Sequence, residues 1–574
     1  MSITAALKDV AERGTGHGIR LFRGDQERER TGYDELYAQA GRVACGLLER
    51  GVRPGERVAI ALPTSIDFAR ALFGVLAAGA VPVPVPPPAR FASLEIHMRR
   101  IVLAMRQSKV RFVLTDEALG SLLGPVLGGD GGGSSETREF GILDIATVPA
   151  PSAVYADVAA DAPALVQYTS GTSEDPKGVV LSHANLLANV EAITKGIDLT
   201  DADVGCSWLP LFHDMGLIGT LLSAVLAGAD ALLMPPEDFL RDPGRWLRVI
   251  SRHRATISAA PNSGYLHALR KVPAEDVREL DLSSWRLALN GAEPVDAGLM
   301  RRFAEHFEPA GFRPTAFLPV YGLAEGSLAV TFPPTAREVR TLWVRRDMLG
   351  EGVVEFGGRD SGLCREIASV GAPVAGTEVR LVGEGGGVLH SEAAVGEIHI
   401  RGASVMRGYE ANEAATRATV HDGGWVSTGD LAFRKDGELY VAGRKKEMII
   451  VFGQNYYAHD IESVVGRLPG VTHHAVLAAG VPFEDGDGLV VMVETKESEA
   501  YARSELVARV RYAVSSELGV TPREVVLVQK GRLPRTSSGK LLRHGAQAVY
   551  QQWAPAPPDA QPTVTTDPDQ VSLE

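Results

Sequence analysis

From about residue 30 onward, short β-rich runs alternate with apolar windows at helical spacing, the pattern of parallel strands joined by helices. One unit shows it plainly. Residues 58–62 read as a strand, Pro63 and Thr64 as a turn, 65–79 as a helix with Phe68, Leu72, Val75 and Leu76 on one face, and 81–85 as the next strand. Further strands are predicted at 110–115, 165–168, 256–259, Leu287–Asn290 and 318–321. Several run directly into Gly, Ser or Asn, and ligands of open α/β sheets collect at the carboxyl ends of strands. After about residue 370 the runs become short and alternating, as at 395–401 and 438–441, which predicts antiparallel pairing. The last stretch predicts strands at 489–494 and 525–528 around a helix at 501–518, with Leu506, Val510 and Val514 at spacing four. The fold class expected is therefore α/β: a large N-terminal region of mixed and parallel sheets flanked by helices, an antiparallel sheet subdomain, and a small α+β C-terminal domain.

The apolar run 215–229, between Asp214 and Asp230, falls short of the ~20 residues a spanning helix needs and predicts a buried helix. A second uncharged stretch, 71–89, contains Pro82, Pro84 and three prolines at 86–88, which forbid helix through its second half. No membrane span is expected. Lys8, Asp9 and Glu12 stand where a signal peptide would need an unbroken apolar segment.

The chain has 574 residues, enough for several domains with a sizeable core. Its 58 Lys and Arg against 71 Asp and Glu give a net charge of −13, which argues against a nucleic-acid partner. Cys45, Cys206 and Cys364 are far apart, so a disulfide framework and a cysteine zinc site both lack their spacing. A reduced, cytoplasmic protein is expected. Glycine-rich loops are predicted at 128–135 and 383–387, and the tail 554–574, rich in Pro, Asp, Gln and Thr, is expected to be disordered.

Five segments carry candidate chemistry. YTSGTSEDPKG at 168–178 follows a strand and offers hydroxyls, a flexible Gly171 and Lys177, a composition that suits a polyphosphate or an ordinary polar turn. It lacks the spacing of a Walker A loop. WLPLFHDMG at 208–216 sets His213 and Asp214 at the mouth of the apolar run, where a histidine can orient a carboxylate or Asp214 can simply cap a helix. NGAEP at 290–294 and VYGLAE at 320–325 each follow a strand; Tyr321 can stack on a base and Glu325 can hold Mg²⁺ between phosphate oxygens. STGDL at 427–431 precedes GRKKE at 443–447, so Asp430 and Arg444 suit ribose hydroxyls or a plain ion pair. Finally, LPRTSSGKL at 533–541 places Lys540 on a polar loop.

In this order and spacing, over about residues 30–546, the five motifs resemble the adenylate-forming superfamily of acyl-CoA synthetases, luciferases and peptide-synthetase adenylation domains. WLPLFHDMGLIG at 208–219 and YGLAEGSLAV at 321–330 look most like the fatty acyl-AMP ligases. The resemblance implies ATP and Mg²⁺, a hydrophobic carboxylic acid, and an acyl-AMP product passed to a separate acceptor such as an acyl carrier protein or partner transferase. It assigns phosphate handling to Thr169, Ser170, Gly171, Thr172 and Lys177, adenine to Asn290, Gly291, Ala292, Tyr321 and Gly322, and ribose to Asp430 and Arg444. Glu325 would hold Mg²⁺, Lys540 would bridge the carboxylate and the α-phosphate, and His213, Asp214 and Gly326 would line the acid's site. Glu325, His213 and Lys540 are thus the catalytic set. The resemblance further implies a large domain at 1–445, and a small mobile domain at 446–553 that carries Lys540 and turns about Lys446.

Between the Glu325 motif and VGAPVAG at 370–376 lie the 39 residues 331–369, read as the insertion that distinguishes acyl-AMP ligases from CoA enzymes. Its Leu342, Trp343 and Val344 are expected to dock on the large domain. The chain departs from the family pattern at Glu174 in the phosphate loop and at Gln454, Tyr456 and Ala458. The alternatives are a complete acyl-CoA synthetase and a non-catalytic nucleotide- or acyl-binding protein.

Overall fold

The structure, a computed structural model, describes residues 1–87, 94–127, 140–169, 176–359, 361–451, 454–483, 486–535, 541, 543 and 546–553. Its contacts divide the chain into two units, the first mainly Met1–Met448 with Gln454–Tyr457, the second mainly Ala458–Pro534. The loop at 128–135 and the tail at 554–574 lie outside the described residues.

A seven-stranded sheet organises the first unit. Its order is Phe317–Pro319, Leu287–Asn290, Ile257–Ala260, Val204–Ser207, Asp230–Leu233, Gly18–Arg23 and Gln26–Gly32. All neighbours are parallel except the last pair. From Val204–Ser207 the chain moves to Asp230–Leu233 on one side, then crosses to Ile257–Ala260 on the other and continues outward. Winding therefore reverses at Val204–Ser207, and the crevice outside the carboxyl ends at such a switch point is where ligands bind. Trp246, Tyr265, Trp285 and Phe303 are fully buried against this sheet.

A four-stranded parallel sheet contains the unit read from the sequence: Arg57–Ile60, the helix Ile66–Ala77 and Val81–Pro84. Ser65 caps the helix by accepting the Phe68 N–H at 3.1 Å, and Phe68, Leu72, Val75 and Leu76 are buried on it as the spacing requires.

Four features differ from expectation. The strand expected at 165–168 is not parallel: Pro163–Tyr168 pairs antiparallel with Gly178–Ser182, which pairs with Gly408–Tyr409. The run 215–229 opens as a π-helix, Met215–Leu222, before the α-helix Ser223–Ala227. There the hydroxyls of Thr220 and Ser223 donate to carbonyls five residues back, at 3.3 and 2.8 Å, and π turns favour functional sites. The stretch 318–321 splits: Phe317–Pro319 stays in the large sheet while Tyr321–Gly322 joins Ala329–Phe332. Strands at Gly18–Arg23 and Gln26–Gly32 precede the first one expected.

The antiparallel subdomain runs Val388–Leu389, Thr377–Val382, Gly396–Gly402, Trp425–Lys435 and Val420–His421, with Glu438–Arg444 on Trp425–Lys435. The insertion folds onto it as a hairpin, Thr341–Arg345 with Cys364–Ala368, and a short helix, Arg346–Gly350. Val344 is fully buried and Leu342 packs beside it, in a cluster with Leu349, Ile367, Phe433, Tyr440, Ala442 and Tyr457. Trp343 faces the other side of the alternating strand and is only partly covered. In the second unit, Val471–Phe483 pairs antiparallel with Gly486–Thr495, and Glu524–Gln529 lies parallel to the latter. The helix Ala500–Leu518 buries Leu506, Val510 and Val514. Among the described residues no helix is long and apolar enough to cross a membrane.

The N-terminal helix Ile3–Arg13 is tied down where the Ile3 N–H donates to Nδ1 of His183 at 3.1 Å. Burial lowers the His183 pKa to about 4. A folded value below the ~6.5 of free histidine makes the neutral ring a stabilising group above pH ~6.5, and this contribution, about 3 kcal/mol, is lost as pH falls toward 4. The thermal midpoint is expected to drop over that window, and less steeply in His183→Gln; parallel pH curves would contradict the linkage.

Candidate active site

Two adjacent parallel strands, Leu287–Asn290 and Phe317–Pro319, lead into the Asn290 and Tyr321 motifs, and the antiparallel pair Trp425–Lys435 and Glu438–Arg444 brings Asp430 and Arg444 to Tyr321. Asn290 ends its strand fully buried; its amide donates to Asn262 Oδ1 at 2.9 Å, and its own Oδ1 has no partner. The Asn290 carbonyl accepts the Val320 N–H at 2.8 Å, which joins the Asn290 and Tyr321 motifs. The backbone is crowded here: a Cβ on Gly291 would lie 2.8 Å from Val320, and one on Gly322 only 1.9 Å from the Leu328 carbonyl. Ala292 adopts a positive φ of 68°. At Gly291 and Gly322 the neighbouring chain leaves no space for a side chain, so the strand ends can pack this closely only on glycine.

Tyr321 donates its hydroxyl to Asp430 at 2.8 Å, and Arg444 Nε donates to the other Asp430 oxygen at 2.9 Å. Asp430 and Arg444 face each other across paired strands, so the sheet register fixes this ion pair. Asp430 raises the Arg444 pKa, and burial followed by the Asp430 charge raises that of Tyr321. Glu325 lies on a 3₁₀ turn, Ala324–Gly326, and accepts the Tyr409 hydroxyl at 2.8 Å. Burial pushes the Glu325 carboxyl up, which disfavours its charged form. Asn189 holds the turn: its amide donates to the carbonyls of Gly326 and Ala329 at 3.1 and 2.9 Å and accepts the Ala329 N–H at 2.9 Å. The Lys177 ammonium sits 4.9 Å from the centre of the Tyr409 ring. Burial and the nearby Lys446 charge lower the Lys177 pKa, partly offset by Glu325. Thr169 N–H donates to the Lys177 carbonyl at 3.1 Å, closing the base of the loop between them.

His213 lies just after Val204–Ser207, at the switch point. Its Nδ1 is 2.7 Å from Asp214, and the Asp214 carboxylate also accepts the Met215 N–H at 2.7 Å at the head of the π-helix. Asp214 is thus both a cap and the partner of a histidine. Gly216 is needed for the turn, since a Cβ would lie 2.3 Å from the Pro210 carbonyl. Lys446 stands exposed on the 3₁₀ turn Lys445–Glu447, just before the division between the two units.

The structure therefore gathers two linked sets, Tyr321 with Asp430 and Arg444, and Glu325 with Tyr409 and Lys177, near enough that the Arg444 and Asp430 charges act on Glu325, with Asn290 joined to the first through the backbone. His213 and Asp214 form a separate pair. Ser170, Gly171, Thr172, Glu174 and Lys540 lie outside the described residues. Tyr409, which holds Glu325 and faces Lys177, carried no signal in the sequence: the strand Gly408–Tyr409 is too short for periodicity to reveal.

Comparison with known proteins agrees with this geometry. Residues 9–410 match the AMP-binding enzyme family, and residues 446–555 match the Disco-interacting protein 2-like AMP domain. The medium-chain-fatty-acid–[acyl-carrier-protein] ligase JamA of Moorena producens is 34% identical over 548 residues, covering 92% of this chain and 91% of that protein. The long-chain-fatty-acid–AMP ligase FadD26 of Mycobacterium marinum is 33% identical over 579 residues, covering 96% and 97%. A solved structure from work on fatty acyl-adenylate ligases of E. coli and L. pneumophila superposes with a TM-score of 0.89 at 31% identity, covering 96% of this chain and 98% of that one. On family match, relatives and fold together, this chain belongs to the AMP-binding enzyme family.

Proposed function

We propose that this chain is an acyl-AMP ligase: it joins a hydrophobic carboxylic acid to ATP, giving acyl-AMP and pyrophosphate, and passes the adenylate to a separate acceptor such as an acyl carrier protein. One observation supports this above others. Tyr321 and Glu325, just beyond the carboxyl end of the parallel strand Phe317–Pro319, meet Asp430 and Arg444 of the antiparallel subdomain: Tyr321, Asp430 and Arg444 are bonded in a chain, and the Arg444 and Asp430 charges act on Glu325.

In this reading a carboxylate oxygen attacks the α-phosphorus, an acyl–phosphate bond forms, and the bond to pyrophosphate breaks. Tyr321 stacks on adenine beside the bare backbone of Gly291 and Gly322. Asp430 accepts from the ribose hydroxyls, and Arg444 holds that carboxylate ionised and in place. Thr169 and Lys177 grip the phosphates, with Ser170, Gly171 and Thr172 assigned to the same loop. His213, held by Asp214, orients the carboxylate, and Gly326 is assigned to the acid's path. Lys540 meets the charge that builds between carboxylate and α-phosphate.

Glu325 fits Mg²⁺. Its carboxylate is bonded to Tyr409 through one oxygen, and no cluster of three or more candidate metal ligands exists among the described residues, as suits an ion held by one carboxylate plus phosphate oxygens. When bound, Mg²⁺ would neutralise phosphate charge.

The insertion supports a ligase that stops at the adenylate. Its Gly350 carbonyl accepts the Asn455 amide at 3.1 Å, its Leu349 carbonyl accepts the Tyr457 hydroxyl at 3.4 Å, and Arg365 stacks over the Tyr457 ring at 5.0 Å. Gln454–Tyr457 begins eight residues beyond Lys446, past the strand Met448–Val451, so an insertion that grips it would restrain turning about the hinge. Carboxylate-dependent exchange of labelled pyrophosphate into ATP tests the activity: hydrophobic acids are expected to support exchange, and its absence with every acid contradicts the reading.

A further inference from the structure

Gln167 lies one residue before the phosphate-loop motif, on the strand Pro163–Tyr168, and is 2% exposed. Its Nε2 donates to the Phe212 carbonyl at 2.9 Å and to the Tyr168 carbonyl at 3.3 Å. Phe212 immediately precedes His213, while Tyr168 immediately precedes Thr169. One side-chain amide therefore joins the strand that leads into the ATP-phosphate loop to the loop that presents the acid-orienting histidine, across 45 residues of sequence.

The orientation of this amide is fixed by its partners. Both are carbonyl oxygens, which accept only, so a flipped amide would set oxygen against oxygen. The consequence is that Gln167 Oε1 is buried with no hydrogen-bond partner among the described residues. A buried acceptor without a donor is destabilising, and an apolar side chain of similar length would avoid it. Packing alone would favour such a side chain; the link between the two loops requires an amide.

We propose that Gln167 is a positioning residue that sets the acid's carboxylate in line with the α-phosphorus by tying the His213 loop to the phosphate-loop strand. The proposal rests on the roles assigned above to those two loops. Each loop binds its own reactant without Gln167; what the amide supplies is their mutual alignment, and a misplacement near 1 Å can cost on the order of a hundredfold in rate.

The test compares the full-length wild type with Gln167→Met and Gln167→Glu in acyl-AMP formation, with kcat, both KM values and the thermal midpoint measured. Gln167→Met is expected to lower kcat roughly ten- to a hundredfold, to leave KM for ATP and for the acid near wild type, and to leave the midpoint unchanged or raised. Gln167→Glu can donate to the Phe212 carbonyl only when protonated, so its kcat relative to wild type should rise as pH is lowered. A Gln167→Met enzyme with wild-type kcat, or one with a lowered midpoint and unaltered kcat, overturns the proposal. A wild type that forms no acyl-AMP with any acid overturns the functional reading and this inference with it, an outcome distinct from an active wild type that tolerates the substitution.

Discussion

Lys540→Ala is expected to slow acyl-AMP formation about a thousandfold while leaving ATP binding close to wild type. The reaction brings a carboxylate against a polyphosphate, so negative charge concentrates between carboxylate and α-phosphorus as the bond forms. An ammonium placed there acts mainly in the transition state, and its removal lowers kcat more than it raises KM. ATP keeps the other groups assigned to it: Tyr321, Asp430 and Arg444, which hold one another, and Lys177, which sits against Tyr409. Single-turnover formation of acyl-AMP, with nucleotide binding measured separately by calorimetry, checks both halves. Adenylation at the wild-type rate would remove Lys540 from the catalytic set.

The second large effect concerns the insertion. Removing the short helix Arg346–Gly350 and the loop after it is expected to raise CoA thioester formation at least about tenfold, with adenylation retained. The helix supplies the Leu349 and Gly350 carbonyls that hold Tyr457 and Asn455. A milder variant reaches the same contact, because a Cβ on Gly350 would lie 2.2 Å from the Asn455 backbone oxygen. Gly350→Ala should therefore shift the products in the same direction without opening the cluster around Val344, Phe433 and Tyr440. Loss of thermal stability in both variants with no gain of thioester would make the insertion a packing element only.

Where turn or capping residues bracket an apolar run, the hydrophobic pattern was sufficient to read the elements, whether they are buried on one side or nearly all round. The helix Ile66–Ala77 and the strand Leu287–Asn290 follow from it, as does the buried stripe of Leu506, Val510 and Val514 on Ala500–Leu518. Gln26–Gly32 was not legible because six of its seven residues, all but Gly32, are polar or charged, with no apolar face; it is the edge strand of the large sheet, where charged side chains block further pairing. The π-helix was read as ordinary helix because an apolar run without charged residues carries little periodicity, and the hydroxyls of Thr220 and Ser223 declare it only through their bonds five residues back.

The motif residues of the site could be named in advance, since each motif is local, and the structure adds how they join. Tyr409 and Gln167 could not be named, because their roles lie in contacts spanning 84 and 45 residues. Glu325 shows the same division: its motif was visible, whereas the raised carboxyl follows from burial that only the assembled fold supplies.

The central claim is that catalysis ends at the adenylate. Mass spectrometry of the products formed from ATP, Mg²⁺ and a panel of hydrophobic acids, with and without CoA, tests it most directly. Acyl-AMP that accumulates to the same level in both conditions is the expected result; acyl-CoA appearing as the adenylate is consumed would contradict it and make this chain a complete synthetase.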